Sequence, residues 1–256
     1  FIICHCQFNK SKFRSTMKFK LLLIVALIQF YTYGQGYVCA VGGGSENNND
    51  WSDEPYSWIV QKADSGTIIV LSYSEATNWI PNYFKNLGAS ESYNKKIDSR
   101  LLADQQSTYD EIVTAKGVFI RGGDQWQYIN LWKGTKTEDA IRQVFLNGGV
   151  VSGTSAGAMI LGEAVFTAKF GSVVSRTSLL NPFANAIDIE YNFLNLTPDV
   201  LFDTHFIERG RFGRLISMLF KAKTNHQRDI LAVGIDDRTA ICIDKNGIGT
   251  VMGSGA

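Results

Sequence analysis

Proline is scarce in this sequence, with four in 256 residues, which excludes an extended proline-rich linker or stalk. Charge of one sign is missing too: 25 lysines and arginines face 24 aspartates and glutamates, for a formal net charge of +1. Nucleic-acid binders carry a basic stripe, and here the only basic cluster is the short run from Arg209 to Arg214. Histidine and cysteine are also few. No spacing among His5, His205, His226, Cys4, Cys6, Cys39 and Cys242 resembles a zinc site. Neither G-x-x-x-x-G-K-[ST] nor a spaced G-x-G-x-x-G occurs, so the Gly42-Gly43-Gly44 run reads as room at the rim of a cleft, not as a phosphate cradle. No metal and no organic cofactor is expected.

Long apolar runs are absent as well. The longest stands near the start, Leu21 to Ile28, after Met17, Lys18 and Lys20 and before Gly34, Gln35 and Gly36. A basic stretch, a short apolar run and small residues read as a secretory signal peptide, and the run falls short of the roughly 20 residues of a membrane span. The expected organisation is an upstream non-structural segment at 1–16, a signal peptide at 17–35 and a single α/β domain at 36–256. The product is expected to be secreted or periplasmic, with no stable membrane span once the signal is removed. Residues 251–256 read as a strand stopping in mid-pattern, so the chain is expected to be truncated at its C-terminus. Cys39 and Cys242 sit in apolar strand-like runs and read as two separate core thiols. A disulfide between them stays open in an oxidising compartment.

What is present is an alternation. Strand-like runs at 37–41, 67–71 and 117–121 and at Val150-Val151 are interleaved with helical patterns around Trp58 and at 75–87, 107–115 and 137–147. Pro81 is expected to disturb the middle of the second helix, and Gly148-Gly149 to stop the last. Further apolar segments lie at 200–202, 231–235 and 239–243. Strands alternating with helices of this length predict a mostly parallel sheet covered on both faces, and ligands then bind beyond the strands' carboxyl ends.

Three features fall at that edge. Gly153-Thr154-Ser155-Ala156-Gly157 follows a strand and precedes the apolar Ala158-Met159-Ile160-Leu161, which is G-x-S-x-G in its nucleophile-elbow setting and makes Ser155 the candidate nucleophile. Gly122-Gly123-Asp124-Gln125 follows the strand at 117–121, and its glycines offer backbone N–H groups for an oxyanion hole. Asp203-Thr204-His205 closes the strand at 200–202. His205 is the one histidine at a strand end, where a general base for Ser155 must stand. Arg209, Arg211 and Arg214 follow on an expected helix; one of them meets a substrate carboxylate, or all form a solvated face paired with Glu208 and nearby acids. Asp236-Asp237 reads as a turn between two strands, and Trp126 and Trp132 as core aromatics.

The four motifs GGDQ at 122–125, GTSAGA at 153–158, DTHFIERGRFGRL at 203–215 and GIDDRTA at 234–240, in that order, resemble the cyanophycinase family of serine peptidases. That family is similar to the aspartyl dipeptidases and has the flavodoxin-like sheet of the class I glutamine amidotransferase superfamily. The resemblance implies hydrolysis of a peptide or isopeptide bond at aspartate, with β-aspartyl-arginine the best-known substrate, through an acyl-enzyme and without a cofactor. It implies Ser155 as nucleophile, His205 as base, N–H groups of Gly123 and Ala156 in the oxyanion hole, and Gln125 at the substrate; the residues themselves add Gly122 beside that hole and Arg209 and Arg211 as candidates for the substrate carboxylate. The family's acidic triad member is expected downstream of the nucleophile, but 164–187 holds no Asp or Glu. Glu163, Asp188 and Glu190 are the substitutes expected, with nothing to select among them. The rivals are a binding protein on the same fold that has lost its acid, an aspartyl dipeptidase and a plain esterase. The partner expected is a peptide or isopeptide substrate, not nucleic acid, with a homodimer left open.

Overall fold

The computed structural model describes residues 36–255; the segments expected at 1–16 and 17–35 lie outside the described residues. Five strands, β1 (Tyr37–Val41), β2 (Thr67–Ser72), β3 (Glu91–Lys96), β4 (Gly117–Ile120) and β5 (Val150–Thr154), run parallel in one sheet. Two short pairs lie apart from it: β6 (Ala164–Phe166) antiparallel to β7 (Ile189–Tyr191), and β8 (Val200–Thr204) parallel to β9 (Leu231–Ile235). The chain then returns to the main sheet as β10 (Thr239–Ile243), antiparallel to β1, and β11 (Gly249–Gly253), antiparallel to β10, giving the order β11-β10-β1-β5-β4-β2-β3. The expected α/β fold with a mostly parallel sheet is the fold observed. Strands β3, β2, β4 and β5 lie in the order of the first four strands of a flavodoxin-type sheet, and β1 fills the fifth place.

The central strands are mostly apolar because both of their faces are covered, and the buried Ser152 of β5 donates its hydroxyl to the carbonyl of Val118 at 3.0 Å. Alternate residues point to opposite sides. Val38, Ala40, Ile69, Leu71, Val118, Ile120 and Val151 face one core. Cys39, Val41, Ile68, Val70, Phe119 and Val150 face the other. The second side is covered by α1 (Asp53–Lys62), through Tyr56, Ile59 and Val60, and by α2 (Trp79–Asn86), through Ile80, Tyr83 and Phe84. The first is covered by α3 (Arg100–Ala103), α4 (Gln106–Ile112), α5 (Gln125–Trp132) and α6 (Lys136–Leu146).

One local expectation is corrected, and one strand has no counterpart in the sequence pattern. Pro81 does not disturb the middle of a helix running from 75, because α2 begins only at Trp79 and Pro81 is its third residue. In a first turn the missing N–H costs nothing, since no intrahelical acceptor faces it. Strand β3 reads ESYNKK and lies at the sheet's edge. Its lysines and glutamate guard that edge against pairing with other chains, and for the same reason it carries no apolar run to announce it.

Trp132 anchors the layer of helices nearest the site. It is fully buried, and its indole Nε1–H donates to the carbonyl of Ile97 at 3.0 Å. Trp132→Ala removes both the packing and the partner of that carbonyl. Equilibrium unfolding is expected to show a loss of about 3–5 kcal/mol; a loss under about 1 kcal/mol would mean that the core relaxes around the gap.

Candidate active site

The site is assembled on the carboxyl end of β1. Three consecutive carbonyls there hold three other segments: Val41 accepts the N–H of Ser155 at 2.9 Å, Gly42 that of His205 at 2.9 Å, and Gly43 that of Arg238 at 2.9 Å. Ser155 stands between β5 and the short helix α7 (Ala156–Met159), with φ 52° and ψ −119°. A side chain rarely adopts that conformation, which costs on the order of 1–3 kcal/mol and persists only where the surroundings over-determine it. The surroundings do so here. A Cβ at Gly157 would lie 2.2 Å from the carbonyl oxygen of Ile120, so only glycine lets α7 pack this closely on β4. His205 also has a positive φ, 48°.

Ser155 Oγ lies 2.7 Å from His205 Nε2. On the far side of the ring, Nδ1 meets Oδ1 of Asp237 in a short hydrogen bond. The three side chains thus form a serine–histidine–carboxylate relay whose third member comes from the turn between β9 and β10. The acids expected for this place do not reach it. Glu163 accepts the N–H of Asp199 at 2.8 Å and pairs with Arg228. Asp188 accepts the hydroxyl of Thr167 at 2.7 Å, and Glu190 binds Lys133 at 2.7 Å. All three serve the β6–β7 region. The Asp236-Asp237 turn is a turn, as its sequence indicates, with separate work for each carboxylate. Asp236 Oδ1 accepts the N–H groups of Ile207 and Glu208 at 3.0 and 2.9 Å, and Asp237 orients His205.

The Gly42-Gly43-Gly44 run is more than a rim. Gly43 has φ +126°, and a Cβ on it would sit 2.2 Å from the His205 ring, so its hydrogen leaves the imidazole its place. The ring is mostly buried, its side chain 12% exposed. Burial first, and then the positive charge of Arg209, push its pKa below the ordinary 6.5 against the opposing pull of Asp237. The neutral imidazole, the form that can take a proton from Ser155, therefore persists to lower pH.

The loop at 121–124 lies beside the serine: a Cβ on Gly122 would be 3.3 Å from that of Ser155. Two tyrosines fix this loop. Tyr73 Oη accepts the N–H of Asp124 and Tyr128 Oη donates to the carbonyl of Arg121, each at 2.8 Å, while their rings meet edge to face at 4.9 Å. Ala156 opens α7, where an N–H has no intrahelical acceptor. A cavity of about 250 Å³ opens here, and its lining includes Gly123, Gln125, Ser155, Ala156, His205 and Arg209. Gln125 donates its side-chain N–H to the carbonyl of Phe166 at 3.1 Å, so it fastens β6 to the loop as well as facing the cavity.

The arginines do not share one helix face. Arg209 and Arg211 precede α8 (Phe212–His226), and only Arg214 lies in its first turn. Asp203, fully buried, takes a two-pronged contact from Arg214, with Nε–H to Oδ2 at 2.8 Å. Arg214 also donates to Ser172 at 3.0 Å. Arg211 donates to the carbonyl of Thr204 at 2.6 Å and stands 3.6 Å from Asp203. Burial, followed by repulsion from Arg214, drops the pKa of Arg211 to about 10. One carboxylate thus faces two buried guanidinium groups, and with exposed Arg209 the mouth of the cavity is positive.

Residues 82–251 match the family model of peptidase family S51. Among curated proteins, the chain is 32% identical over 174 residues to the cyanophycinase of Synechococcus elongatus, covering 68% of this chain and 50% of that one. It is 30% identical over 174 residues to the cyanophycinase of Trichormus variabilis, covering 68% and 54%. The chain spans about half the length of the curated relatives it matches. Among solved structures, a peptidase from an acI-B1 actinobacterium superposes with a TM-score of 0.61 at 19% identity, over 88% of this chain and 90% of that one, which shows a shared fold.

Two tests follow from the relay. Asp237→Asn is expected to cut hydrolytic kcat by about 10⁴-fold, while Glu163→Gln, Asp188→Asn and Glu190→Gln leave it within a few-fold; the reverse pattern would return the acid to the β6–β7 region. The rising limb of kcat/KM against pH reports the free base, so it is expected below pH 6.5. Arg209→Ala removes a repelling charge and should move that limb to higher pH; an unmoved limb would show that Arg209 is screened from the imidazole.

Proposed function

The chain belongs to peptidase family S51, and from that premise we propose that it is an exported serine peptidase cleaving aspartyl peptide or isopeptide bonds, β-aspartyl-arginine among them. The observation that carries the reading is the Ser155–His205–Asp237 relay on a strained elbow. In the forward step Ser155 Oγ attacks the substrate carbonyl as His205 Nε2 takes its proton, and Asp237 holds the Nδ1–H tautomer and the resulting imidazolium. The N–H groups of Gly123 and Ala156 stabilise the oxyanion of the tetrahedral intermediate. His205 then returns the proton to the leaving amine. Water repeats the sequence on the acyl-enzyme, releasing the acid and restoring Ser155.

The positive mouth supports an aspartyl substrate, because a carboxylate beside the scissile bond finds guanidinium donors in Arg209 and Arg211, and such pairs are strong when bidentate. The basic and apolar pattern at 17–35 supports export. Asp237, a carboxylate at Nδ1, supports catalysis over a binding protein that has lost its acid.

The test sets wild type beside Ser155→Ala, each incubated with β-aspartyl-arginine polymer, simple aspartyl dipeptides and a carboxylate-free ester, with new amino or acid groups counted over time. Release from the polymer or dipeptides by wild type alone is the expected outcome, together with labelling of Ser155 by a serine-directed phosphonate. Turnover of the ester alone would make the chain an esterase. Silence from folded wild type on every substrate, with no phosphonate label, would leave binding as the function.

A further inference from the structure

Cys39 on β1 and Cys242 on β10 are direct cross-strand partners. The sequence reads as two separate core thiols, but the sheet places them face to face, with Sγ atoms 3.5 Å apart and Met252 Sδ 3.6 Å from that of Cys242. Both are free and buried, at 0% and 1% exposure. Their place in the ladder matters for chemistry. Gly42 N–H donates to the Thr239 carbonyl at 2.9 Å, so that opposed pair is hydrogen-bonded. Pairs alternate along an antiparallel ladder, and three steps back, Cys39 and Cys242 form a non-hydrogen-bonded pair. In such pairs the Cα atoms approach to about 4.5 Å, within the roughly 4.4–6.8 Å that a disulfide spans. Closing the remaining gap between the sulfurs needs side-chain rotation alone.

We propose that Cys39 and Cys242 form a disulfide when the chain folds in an oxidising compartment, locking β1 to β10 directly beneath the active-site relay. The oxidant is a small disulfide of the glutathione type. One cysteine thiolate attacks it, forming a mixed disulfide and releasing one small thiol. The second cysteine thiolate attacks the protein sulfur of that mixed disulfide, releasing the other small thiol. The two cysteines thus lose two protons and two electrons, and the small disulfide gains them. The exchange belongs to folding, before the strands close, since the folded sheet shields both sulfurs. Contact with Cys242, and then burial, also hold the Cys39 thiol well above its ordinary pKa, so the attacking thiolate is scarce once the sheet has formed.

The position gives the bond a consequence. Four residues beyond Cys39 stands Gly43, against the His205 ring, and five before Cys242 stands Asp237 on its other side. A bond between the strands ties together the two segments that set the imidazole's position. It also closes a loop of most of the chain, which restricts the unfolded state strongly.

The test uses the full chain refolded either in a mixture of oxidised and reduced glutathione or in excess dithiothreitol, then alkylated under denaturing conditions and digested. The glutathione preparation is expected to yield one linked peptide pair joining Cys39 to Cys242, with both cysteines alkylated in the dithiothreitol preparation. The linked form should melt roughly 5–15 °C higher, a difference that Cys242→Ser abolishes. Full alkylation of both cysteines in both preparations would overturn the proposal. So would pairing of either with Cys4 or Cys6, or protection from alkylation without loss of two hydrogens in mass. Peptide mapping needs neither activity nor the variant, so its outcome is independent of the proposed function.

Discussion

Three backbone carbonyls at one strand end govern this site. Val41, Gly42 and Gly43 reach in succession to Ser155, His205 and Arg238, and Arg238 adjoins Asp237 in the turn. The three functional side chains are drawn from segments about 30 to 50 positions apart in sequence, yet each backbone is set by a bond to the same strand. A backbone hydrogen bond contributes only about 1 kcal/mol net, so this arrangement is not chiefly a matter of stability. What it does is fix relative position, and hydrolysis by a relay depends on position to within a fraction of an ångström. Placing β1 in the middle of the sheet, between β5 and β10, gives it neighbours on both edges and leaves it little freedom to shift.

The second constraint is electrostatic. Burying either Asp203 or Arg214 alone would be costly; together they satisfy each other through a two-pronged contact. Arg211 stands close by, so the cluster keeps an excess positive charge. Apolar packing in place of a buried ion pair is often as stable, which makes stability a weak reason for its being there. A fixed positive potential at the mouth of the cavity is a better one: it attracts a carboxylate without reorganisation at the moment of reaction.

Much of this was legible in the sequence, and what was not has identifiable reasons. The sheet is legible because β1, β2 and β4 are buried on both faces and carry apolar runs, and β5 opens with Val150-Val151. Strand β3 is not, because an edge strand is polar by necessity. Ser155 and His205 are candidates by one rule, that reacting groups stand where a strand ends, and the structure brings their side chains within 2.7 Å. Asp237 obeys the same rule: it stands two residues beyond β9, as His205 stands one beyond β8. Its role is not legible because the resemblance places the acid shortly after the nucleophile, where 164–187 has none, and an Asp-Asp pair between two strands is what any turn shows. Linear distance misled where strand topology would have served. The facing of Cys39 and Cys242 was hidden for a related reason, since an antiparallel return some 200 residues later leaves no local pattern.

The two constraints also act on one another at His205. Burial favours the neutral imidazole and Arg209 adds to that preference, while Asp237 favours the charged one, and the first two prevail in the free protein. A bound carboxylate facing Arg209 cancels part of the repulsion that Arg209 exerts on the ring. The histidine then becomes more basic at the moment when a proton has to leave Ser155, and the imidazolium it becomes is less opposed. Under the proposed function, Arg209 would thus keep the base neutral before an aspartyl substrate binds and release it afterwards. An uncharged substrate could enter the same cavity but would leave that restraint in place, so discrimination falls on the chemical step as well as on binding.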